Sequence, residues 1–407
     1  MEIVLGAFRF ADPAGTEHYT LTVAEQLQRL GHEVTIYVEQ TGEISDLARS
    51  RGLRLATGDD ELPDQADVLY AQESVTAYAL AARYAKAPLA VAVHSVDYDL
   101  SVPPQLPELV STLVTLNERV TRRAEAFALD TEIVRLRQPV DISRFSPRGS
   151  LREPPQRVLA LGNYLRGDRA GVIEAACAEA GLEAVSVGMH RGNRVLESDR
   201  VLNEADVVLG KGRVIVEAMA CGRAAYVFDL YGSGGWVTND SYAGLEADNF
   251  AGLTSTPPVD VAQLTSDLEL YRTDMGAANR ELAVVHHSAN KHAMELVELF
   301  ERLAPRPAVR TAPLREMARL VRVQWQSEER AVAFGLEAGD LRDQLEASRR
   351  RIDELELLAA RLPKVEAELD AARVGSERRV QDLLRQRRVR LGIALAWPLD
   401  LLRRRRR

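Results

Sequence analysis

The chain has 407 residues, of which 46% are apolar, and its 52 basic and 60 acidic side chains give a formal charge of −8. That length supplies two domain cores of about 150 residues each plus further sequence. Two cysteines, Cys177 and Cys221, exclude a disulfide framework and a four-cysteine zinc site. The first residues carry no signal-peptide pattern, and no stretch approaches the roughly 20 apolar residues of a membrane span. We therefore expect a cytoplasmic protein that does not cross a membrane.

Short β-branched runs alternate with helical patterns over residues 1–145, which is typical of a parallel α/β sheet. The first helix follows the first strand and is predicted to end at Gly31 in a left-handed cap. A polar, proline-containing stretch over 146–156 is typical of an interdomain linker. Strands are predicted over residues 1–8, 34–39, 67–71, 88–95, 111–116 and 133–139.

The same alternation restarts at residue 157 and predicts a second α/β domain over 157–304. Two helices, over 259–274 and 276–303, are expected to close this domain. Its other helices are predicted over 169–181 and around Glu217, and its strands over 157–164, 184–189, 206–210 and 224–230.

Beyond Pro313, a heptad-like pattern predicts a helical coiled coil over residues 314–384, and with it a homo-oligomer. After Pro363 the seam resumes three residues on instead of four. Such a stammer should locally overwind or break the coil. The seam is weak, since Ser348 and three alanines occupy it. Its apolar or small residues lie at 334, 338, 341, 345, 348, 352, 355, 359 and 362, then at 365, 369 and 372.

Residues 385–407 form a basic tail with nine arginines and one acid, so it carries +8 and the rest of the chain −16. An acidic body argues against nucleic-acid binding. Within the tail, an apolar block with Trp397 lies between two arginine clusters, which is typical of an interfacial membrane anchor. The alternative is a solvated basic terminus. We expect contact with an anionic membrane surface, at the inner face of the cytoplasmic membrane.

A glycine-bearing turn between a strand and a helix, over residues 210–213, is the most informative local feature. Backbone amides at such a turn can face an anion, the helix start adds positive potential, and Lys211 and Arg213 reinforce it. An ordinary βαβ turn with a cap at Gly222 explains the same spacing. From the pattern alone, both interpretations stay open.

The segment EAMACG at 217–222, followed by Gly234 and Gly235, resembles the donor-site signature of family-four GT-B glycosyltransferases. The resemblance covers roughly residues 1–303. It implies two Rossmann-like domains facing across a cleft, with an acceptor in the first and a nucleotide sugar in the second. It also implies retention of anomeric configuration and no tightly bound metal or cofactor. Supporting segments in the same order are GTEHYTLTVAEQLQRLGHEVTIY (15–37), ADVLYAQ (66–72), PVDISRFSP (139–147), LALGNYLRGDRAG (159–171) and NFAG (249–252).

The resemblance assigns roles residue by residue. Glu217 matches the glutamate that accepts hydrogen bonds from the ribose hydroxyls, while Leu209 stands where a partner glutamate is expected. Arg169 matches a catalytic cation that clamps the diphosphate, and Asn163 stands where a second cation is expected, with Arg166 and Lys211 as alternative sources of that charge. The implied donor-binding set is Gly15, Thr16, Asn163, Arg166, Arg169, Gly210, Lys211, Gly212, Arg213, Glu217, Gly234 and Gly235.

His94, at the carboxyl end of a predicted strand, matches a family histidine near the donor sugar, and we assign it a catalytic role. A structural histidine is the alternative. His286, His287 and His292 lack the spacing of a metal site on one helix face. Cys221 is interpreted as a packing residue, and the Asp97–Asp99 segment as a loop.

Two functions follow from this sequence. The first is a glycosyltransferase that uses a UDP- or GDP-sugar and a lipid-linked or cell-envelope glycan acceptor. The second is a non-catalytic GT-B module that acts as a coiled-coil scaffold or partner subunit. The departures from the family pattern at 163 and 209 favour the second, and the remaining motifs favour the first.

The tail is predicted to bind anionic vesicles reversibly. Each arginine near an anionic surface contributes about 1 kcal/mol, and this term should weaken with salt because the Debye length is only about 8 Å at physiological ionic strength. Co-sedimentation with vesicles that contain anionic lipid should therefore pellet the full chain at low salt and less of it at high salt. Equal pelleting of a chain that ends at residue 384 would contradict the prediction.

Overall fold

The computed structural model describes residues 1–95, 102–106, 108–162, 165, 167–188, 192–229, 232–252, 259–307, 309–386, 391–392 and 394. The chain forms two compact units, Met1–Trp325 and Gln326–Arg407. The first unit contains two β-sheets with helices on their faces, and the described part of the second is mainly helical. No helix among the described residues is long and apolar enough to span a membrane.

The first sheet has seven parallel strands in the order β3-β2-β1-β4-β5-β6-β7. Its inner strands are buried on both faces, as the near-continuous apolar run LAVAV of β5 shows, whereas the edge strands β3 and β7 are partly exposed. The six strands predicted from the sequence are confirmed within a few residues at their ends, and β3 is additional. The bounds are β1 Glu2–Phe10, β2 Glu33–Thr41, β3 Arg54–Ala56, β4 Val68–Ala71, β5 Leu89–Val93, β6 Thr112–Thr115 and β7 Glu132–Arg135.

Four helices accompany the first sheet: α1 Gly15–Arg29, α2 Glu43–Ser50, α3 Ser74–Arg83 and α4 Glu118–Glu125. The predicted cap after α1 is confirmed, because Gly31 has a φ of 87° and its N–H bonds the carbonyl of Gln28. The buried side of α1 carries Tyr19 and Leu27 into the core. The start of α1 therefore has a fixed position at the carboxyl edge of the sheet.

The second sheet has the order β12-β11-β10-β8-β9, with all neighbours parallel except β12, which runs antiparallel to β11. The four predicted strands are confirmed, and β12 is additional because its glycine-rich segment SGGW carries no strand pattern. The bounds are β8 Arg157–Leu161, β9 Glu183–Val187, β10 Val207–Gly210, β11 Ala224–Phe228 and β12 Ser233–Trp236.

One sequence prediction in this region is wrong: the single helix expected over 276–303 is two helices, α10 and α11. The break falls at His287 and Ser288, where Val140 donates its N–H to the His287 carbonyl at 2.7 Å and accepts from Ala289 at 2.9 Å. These long-range bonds replace two intrahelical ones. The helices that follow the first strand of the second sheet along the chain have the bounds α5 Gly167–Glu179, α6 Asp199–Glu204, α7 Arg213–Ala220, α8 Asn239–Ala247, α9 Val261–Glu269, α10 Asp274–His286 and α11 Ala289–Glu301.

Helix α11 packs on the first sheet's side of the molecule. Its buried residues Ala293, Leu296 and Phe300 belong to the same core as Tyr19 of α1. The chain thus passes between the two sheets twice, once at 136–156 and once at 287–289, and Val140 hydrogen-bonds the second passage. The two sheets are therefore joined by paired chain crossings.

The last helix, α12, spans Thr311–Arg385 and continues without a break through Pro363. Its first turns belong to the first unit, where Leu314 and Ala318 are buried and Trp325 lies 5.2 Å from Phe8, ring centroid to ring centroid. Just before it, Arg306 is 5% exposed and donates to backbone carbonyls of the first sheet's layer. The beginning of α12 is thereby fixed to that layer.

In the second unit, the apolar side chains of the predicted seam are exposed in the single chain. The exposed fractions of Leu341, Leu345 and Ile352 are 59%, 52% and 54%. The predicted helix is confirmed as α12. The second helix that would pair with it in a coiled coil stays a prediction. Most of the predicted basic tail, at 387–390, 393 and 395–407, lies outside the described residues.

Candidate functional site

A cleft of about 370 Å³ lies between the two sheets of the first unit. One wall is the segment that leads into α1, with Pro13, Ala14 and Gly15. The opposite wall comes from the second sheet and includes Leu161, Val187 and the start of α7. Both walls lie at carboxyl ends of parallel strands, which is where open α/β sheets bind ligands.

The turn into α7 depends on two glycines. A Cβ on Gly210 would lie 2.8 Å from Val214 Cγ1 and 2.9 Å from the Leu161 carbonyl oxygen, so only glycine fits there. Gly212 has a φ of 56°, in the left-handed region that favours glycine. Its N–H donates to the Phe250 carbonyl at 3.1 Å rather than facing the cleft. These two residues shape the turn, and Lys211 and Gly212 line the cleft.

Glu217 lines the cleft and is held by two hydrogen bonds, although it is only 5% exposed. Arg213 Nε donates to Glu217 Oε1 at 2.6 Å, and the Ser198 hydroxyl donates to Oε2 at 2.6 Å. A carboxylate offers about four acceptor sites, so each oxygen keeps capacity for one more donor. The arrangement fixes the carboxylate and leaves it able to accept from a diol.

Two cations flank this carboxylate. The Arg213 guanidinium also donates to the Thr22 hydroxyl of α1 at 3.2 Å, so it joins the two walls behind the cleft. Lys211 Nζ donates to Asp229 Oδ2 at 2.8 Å, and the Asp229 side chain is 4% exposed. Positive charge at the start of a helix favours an anionic ligand.

The wall from the first sheet contributes the start of α1 and His18. The residue before α1, Ala14, provides no side-chain cap, so the first N–H groups of the helix lack that partner. Burial, with help from Arg213, Arg51 and Arg144, lowers the pKa of His18 to about 3. At neutral pH this imidazole is uncharged and can both donate and accept a hydrogen bond.

Arg169, expected to clamp a diphosphate, is not among the described residues that line the cleft. Its guanidinium donates to the carbonyls of Asp229 and Val259, at 3.1 and 2.7 Å, and lies 4.1 Å from the centre of the Phe228 ring. Those contacts direct the charge toward the backbone of the second domain. In this conformation the structure does not bring Arg169 together with Glu217.

The remaining predicted donor residues divide into three groups. Gly15 lines the cleft beside Lys211, Gly212, Arg213 and Glu217. Thr16, Gly210, Gly234 and Gly235 do not line its described part; a Cβ on Gly234 would lie 2.5 Å from Leu245 Cδ2, so its place in β12 is a packing requirement. Asn163 and Arg166, like the Asp97–Asp99 segment, lie outside the described residues.

His94 follows β5 and lies outside the described lining of the cleft. Its Nε2 is 2.7 Å from Gln72 Oε1, and its ring centroid is 4.9 Å from that of Tyr19. Burial lowers the pKa of His94 to about 4. Near the same sheet edge, burial raises the pKa of Glu73 to about 8 and that of Glu17 to about 7. At neutral pH, His94 and most of Glu73 are therefore uncharged.

The other histidines bond to protein groups. His287 Nε2 is 2.9 Å from the Tyr242 hydroxyl, and His292 Nε2 is 3.0 Å from the Tyr19 hydroxyl. Within the part of the chain that the structure describes, no group of three histidine, cysteine or acidic residues is placed to hold a metal. Cys221 is fully buried, and burial raises the pKa of its thiol to about 12.

Sequence reasoning missed several lining residues: His18, Arg119, Arg194, Ser198 and Asn249. Ser198 precedes the short helix α6, a position that suggests an N-cap, yet its hydroxyl bonds Glu217 instead. Arg194 donates to Asp12 at 3.0 Å across the cleft. His18, inside GTEH, and Asn249, inside NFAG, lie in segments with a local sequence signal, although neither residue was assigned to the site.

Comparisons with known proteins were made for the whole chain. No family model matches it, and no curated protein does. Several solved structures are similar to it. Anabaena HepE in complex with UDP matches with a TM-score of 0.53 and 15% sequence identity, over 74% of this chain and 100% of that chain. A glycosyltransferase from Rickettsia africae gives 0.53 and 14% identity, over 74% and 98%. HepE in complex with UDP-glucose gives 0.52 and 13% identity, over 74% and 100%.

At these identities the likeness establishes the fold. The expected GT-B architecture is confirmed, with two Rossmann-like domains facing across a cleft and a long helix after them.

The buried titratable groups predict a stability maximum near pH 6.5. His94, His287 and His292 have pKa values of about 4 in the folded chain against an ordinary 6.5, so their contribution is lost as pH falls from 6.5 toward 4. Glu73 and Glu17, raised to about 8 and 7 from 4.5, contribute stability that is lost as pH rises through those values.

Melting temperature measured from pH 5 to 9 checks this expectation. Glu73→Gln keeps the acceptor oxygen for the Phe8 N–H and the Thr76 hydroxyl, so it should fold and lose part of the decline above pH 7. Glu269→Gln, at an exposed site, is the matched control. An unchanged alkaline decline in Glu73→Gln would show that Glu73 ionises normally.

Proposed function

We propose that the chain is a nucleotide-sugar-dependent glycosyltransferase. The observation that carries the proposal is Glu217, a carboxylate fixed by Arg213 and Ser198 on the cleft wall that Lys211 also lines. Two free acceptor positions on a fixed carboxylate suit the two hydroxyls of a ribose. The fold, which is also that of HepE solved with UDP and UDP-glucose, favours a UDP-sugar as the donor, with a GDP-sugar as the alternative.

The diphosphate of such a donor fits between the starts of α1 and α7. The two helix starts offer positive potential, and Lys211, Arg213 and Arg194 add charge around the cleft. The apolar lining at Leu161 and Val187 suits a base. Asn163, Arg166 and Arg169 stay part of the proposed donor set, with Arg169 requiring a rearrangement to reach a phosphate, because its donors now bond carbonyls.

The acceptor is proposed to bind at the edge of the first sheet, near His94 and Glu73. Neutral His94 and protonated Glu73 can hydrogen-bond sugar hydroxyls without charge. We assign the reaction to the retaining class, as the sequence resemblance implies, and place the acceptor among lipid-linked or cell-envelope glycans. The basic tail would hold the protein at the inner membrane face, where such acceptors lie.

A non-catalytic GT-B module is the second candidate, and two observations favour it. Leu209 is fully buried within β10, so no carboxylate accompanies Glu217 from that position. Arg169 bonds backbone carbonyls instead of facing the cleft. In that case the protein would act mainly as a scaffold, by binding a partner through the exposed seam of α12. Nucleotide binding separates the two, because a module that binds no nucleotide does not transfer from one.

Glu217→Ala should weaken binding of a UDP- or GDP-sugar by about 10- to 150-fold, since a charged hydrogen-bond acceptor contributes about 1.5 to 3 kcal/mol. Calorimetry with UDP, GDP and their sugars measures it. Glu217→Gln keeps an acceptor oxygen toward Arg213, so it serves as a second variant if Glu217→Ala does not fold. Glu204→Ala, on the exposed side of α6, is the control. Unchanged affinity in a folded Glu217→Ala protein would refute the donor site.

The seam of α12 is predicted to make the full chain a dimer or higher oligomer. Burying several Leu and Ile side chains that are half exposed or more in the single chain provides the driving force. Replacing Leu345 and Ile352 by Asn should give a monomer in light scattering at micromolar concentration, whereas Glu346→Asn and Glu354→Asn should not. A wild-type monomer at that concentration would contradict the prediction.

A further inference from the structure

A second cavity, of about 160 Å³, shares none of its described lining residues with the cleft. It lies where the chain passes between the sheets: Arg135 ends β7, Arg137 begins the passage, and Ser288 lies between α10 and α11. Its lining is polar and mainly basic. Arg135, Arg137, His286, Ser288, Lys291 and Glu295 are the residues on which the argument rests.

The arginines of this cavity are incompletely neutralised. Arg135 pairs with Glu118 and Glu246, yet its Nε is buried without a hydrogen-bond partner among the described residues. Arg137 Nε is 3.5 Å from Glu246 Oε1, too long for a strong hydrogen bond. Lys291 adds a third cation on α11. Among the described lining residues, Glu295 is the single carboxylate opposite these cations.

The start of α11 adds a further attraction for anions. The helix has 13 residues, and its N-cap, Ser288, makes no side-chain cap bond, so the hydroxyl is available toward the cavity that it lines. The helix start contributes positive potential. Burial, followed by the charges of Arg137 and Lys291, lowers the pKa of His286, which agrees with a net positive potential in spite of Glu246.

We propose that this cavity binds a phosphate group, as free phosphate or as a phosphate monoester, and that Arg137, Lys291 and Ser288 hold it. A tetrahedral oxyanion with several acceptor oxygens matches two cations, a hydroxyl and a helix start. Glu246 belongs to α8 beside the second sheet, whereas Arg135 belongs to β7 of the first sheet. Bound phosphate competes with Glu246 for the guanidinium groups, so it acts on an ion pair that joins the two domains.

Calorimetry on the full chain with inorganic phosphate, at ionic strength held constant with sodium chloride, tests this proposal. The double variant Arg137→Gln, Lys291→Gln changes two side chains outside the core and should weaken phosphate binding at least tenfold. Arg272→Gln, Lys364→Gln, which removes the same charge from exposed positions, should bind as the wild type does. Lys211→Gln, in the cleft, should also leave this binding in place.

Equal phosphate binding in the wild type and the first double variant would overturn the proposal, as would its loss in Lys211→Gln alone. Glycerol 3-phosphate in parallel distinguishes the sources: tighter binding than phosphate supports a phosphorylated substrate or headgroup, and weaker binding supports the free ion. The result is independent of nucleotide binding, because the two cavities share none of their described lining residues.

Discussion

The cleft depends on the guanidinium of Arg213, which is 12% exposed and bonds both sides of the molecule. It orients Glu217 on one side and meets the Thr22 hydroxyl of α1 on the other. A charge buried to this degree is stable only when its donors are paired. The pairing therefore fixes both the direction of the carboxylate and the separation of the two walls. Further ion pairs, such as Arg144 with Glu25, repeat this arrangement along α1.

Much of the candidate site could be predicted because its parts are neighbours in sequence. Lys211 and Gly212 lie in the strand-to-helix turn, and Arg213 and Glu217 lie about one helical turn apart at the start of α7, so the strand-to-helix pattern places all four on one edge. The contacts of Arg169 could not be predicted from the local sequence pattern, because they are backbone carbonyls 60 and 90 residues away along the chain. Ser198 was missed for the same reason, because its hydroxyl joins the residue before α6 to Glu217 of α7, 19 residues away.

The fold was predictable wherever burial produced a continuous apolar run, as in β5 and β10. It was less predictable where a tertiary bond overrode a local pattern. Residues 276–303 carry one helical periodicity, yet the bonds of Val140 to His287 and Ala289 divide it into two helices. Strand β12 was missed because SGGW has low strand propensity and pairs antiparallel with β11. Local propensity identifies elements, and long-range pairing decides where they end.

On the proposed function, the two domains bind one nucleotide sugar between the starts of α1 and α7. Hydrogen–deuterium exchange of the full chain, with and without saturating UDP, tests this binding mode, because slower exchange reports the backbone that a ligand covers or orders. We expect UDP to protect peptides that contain residues 13–18 and also peptides that contain residues 211–217. Protection of neither segment, or protection confined to peptides outside the cleft, would contradict it.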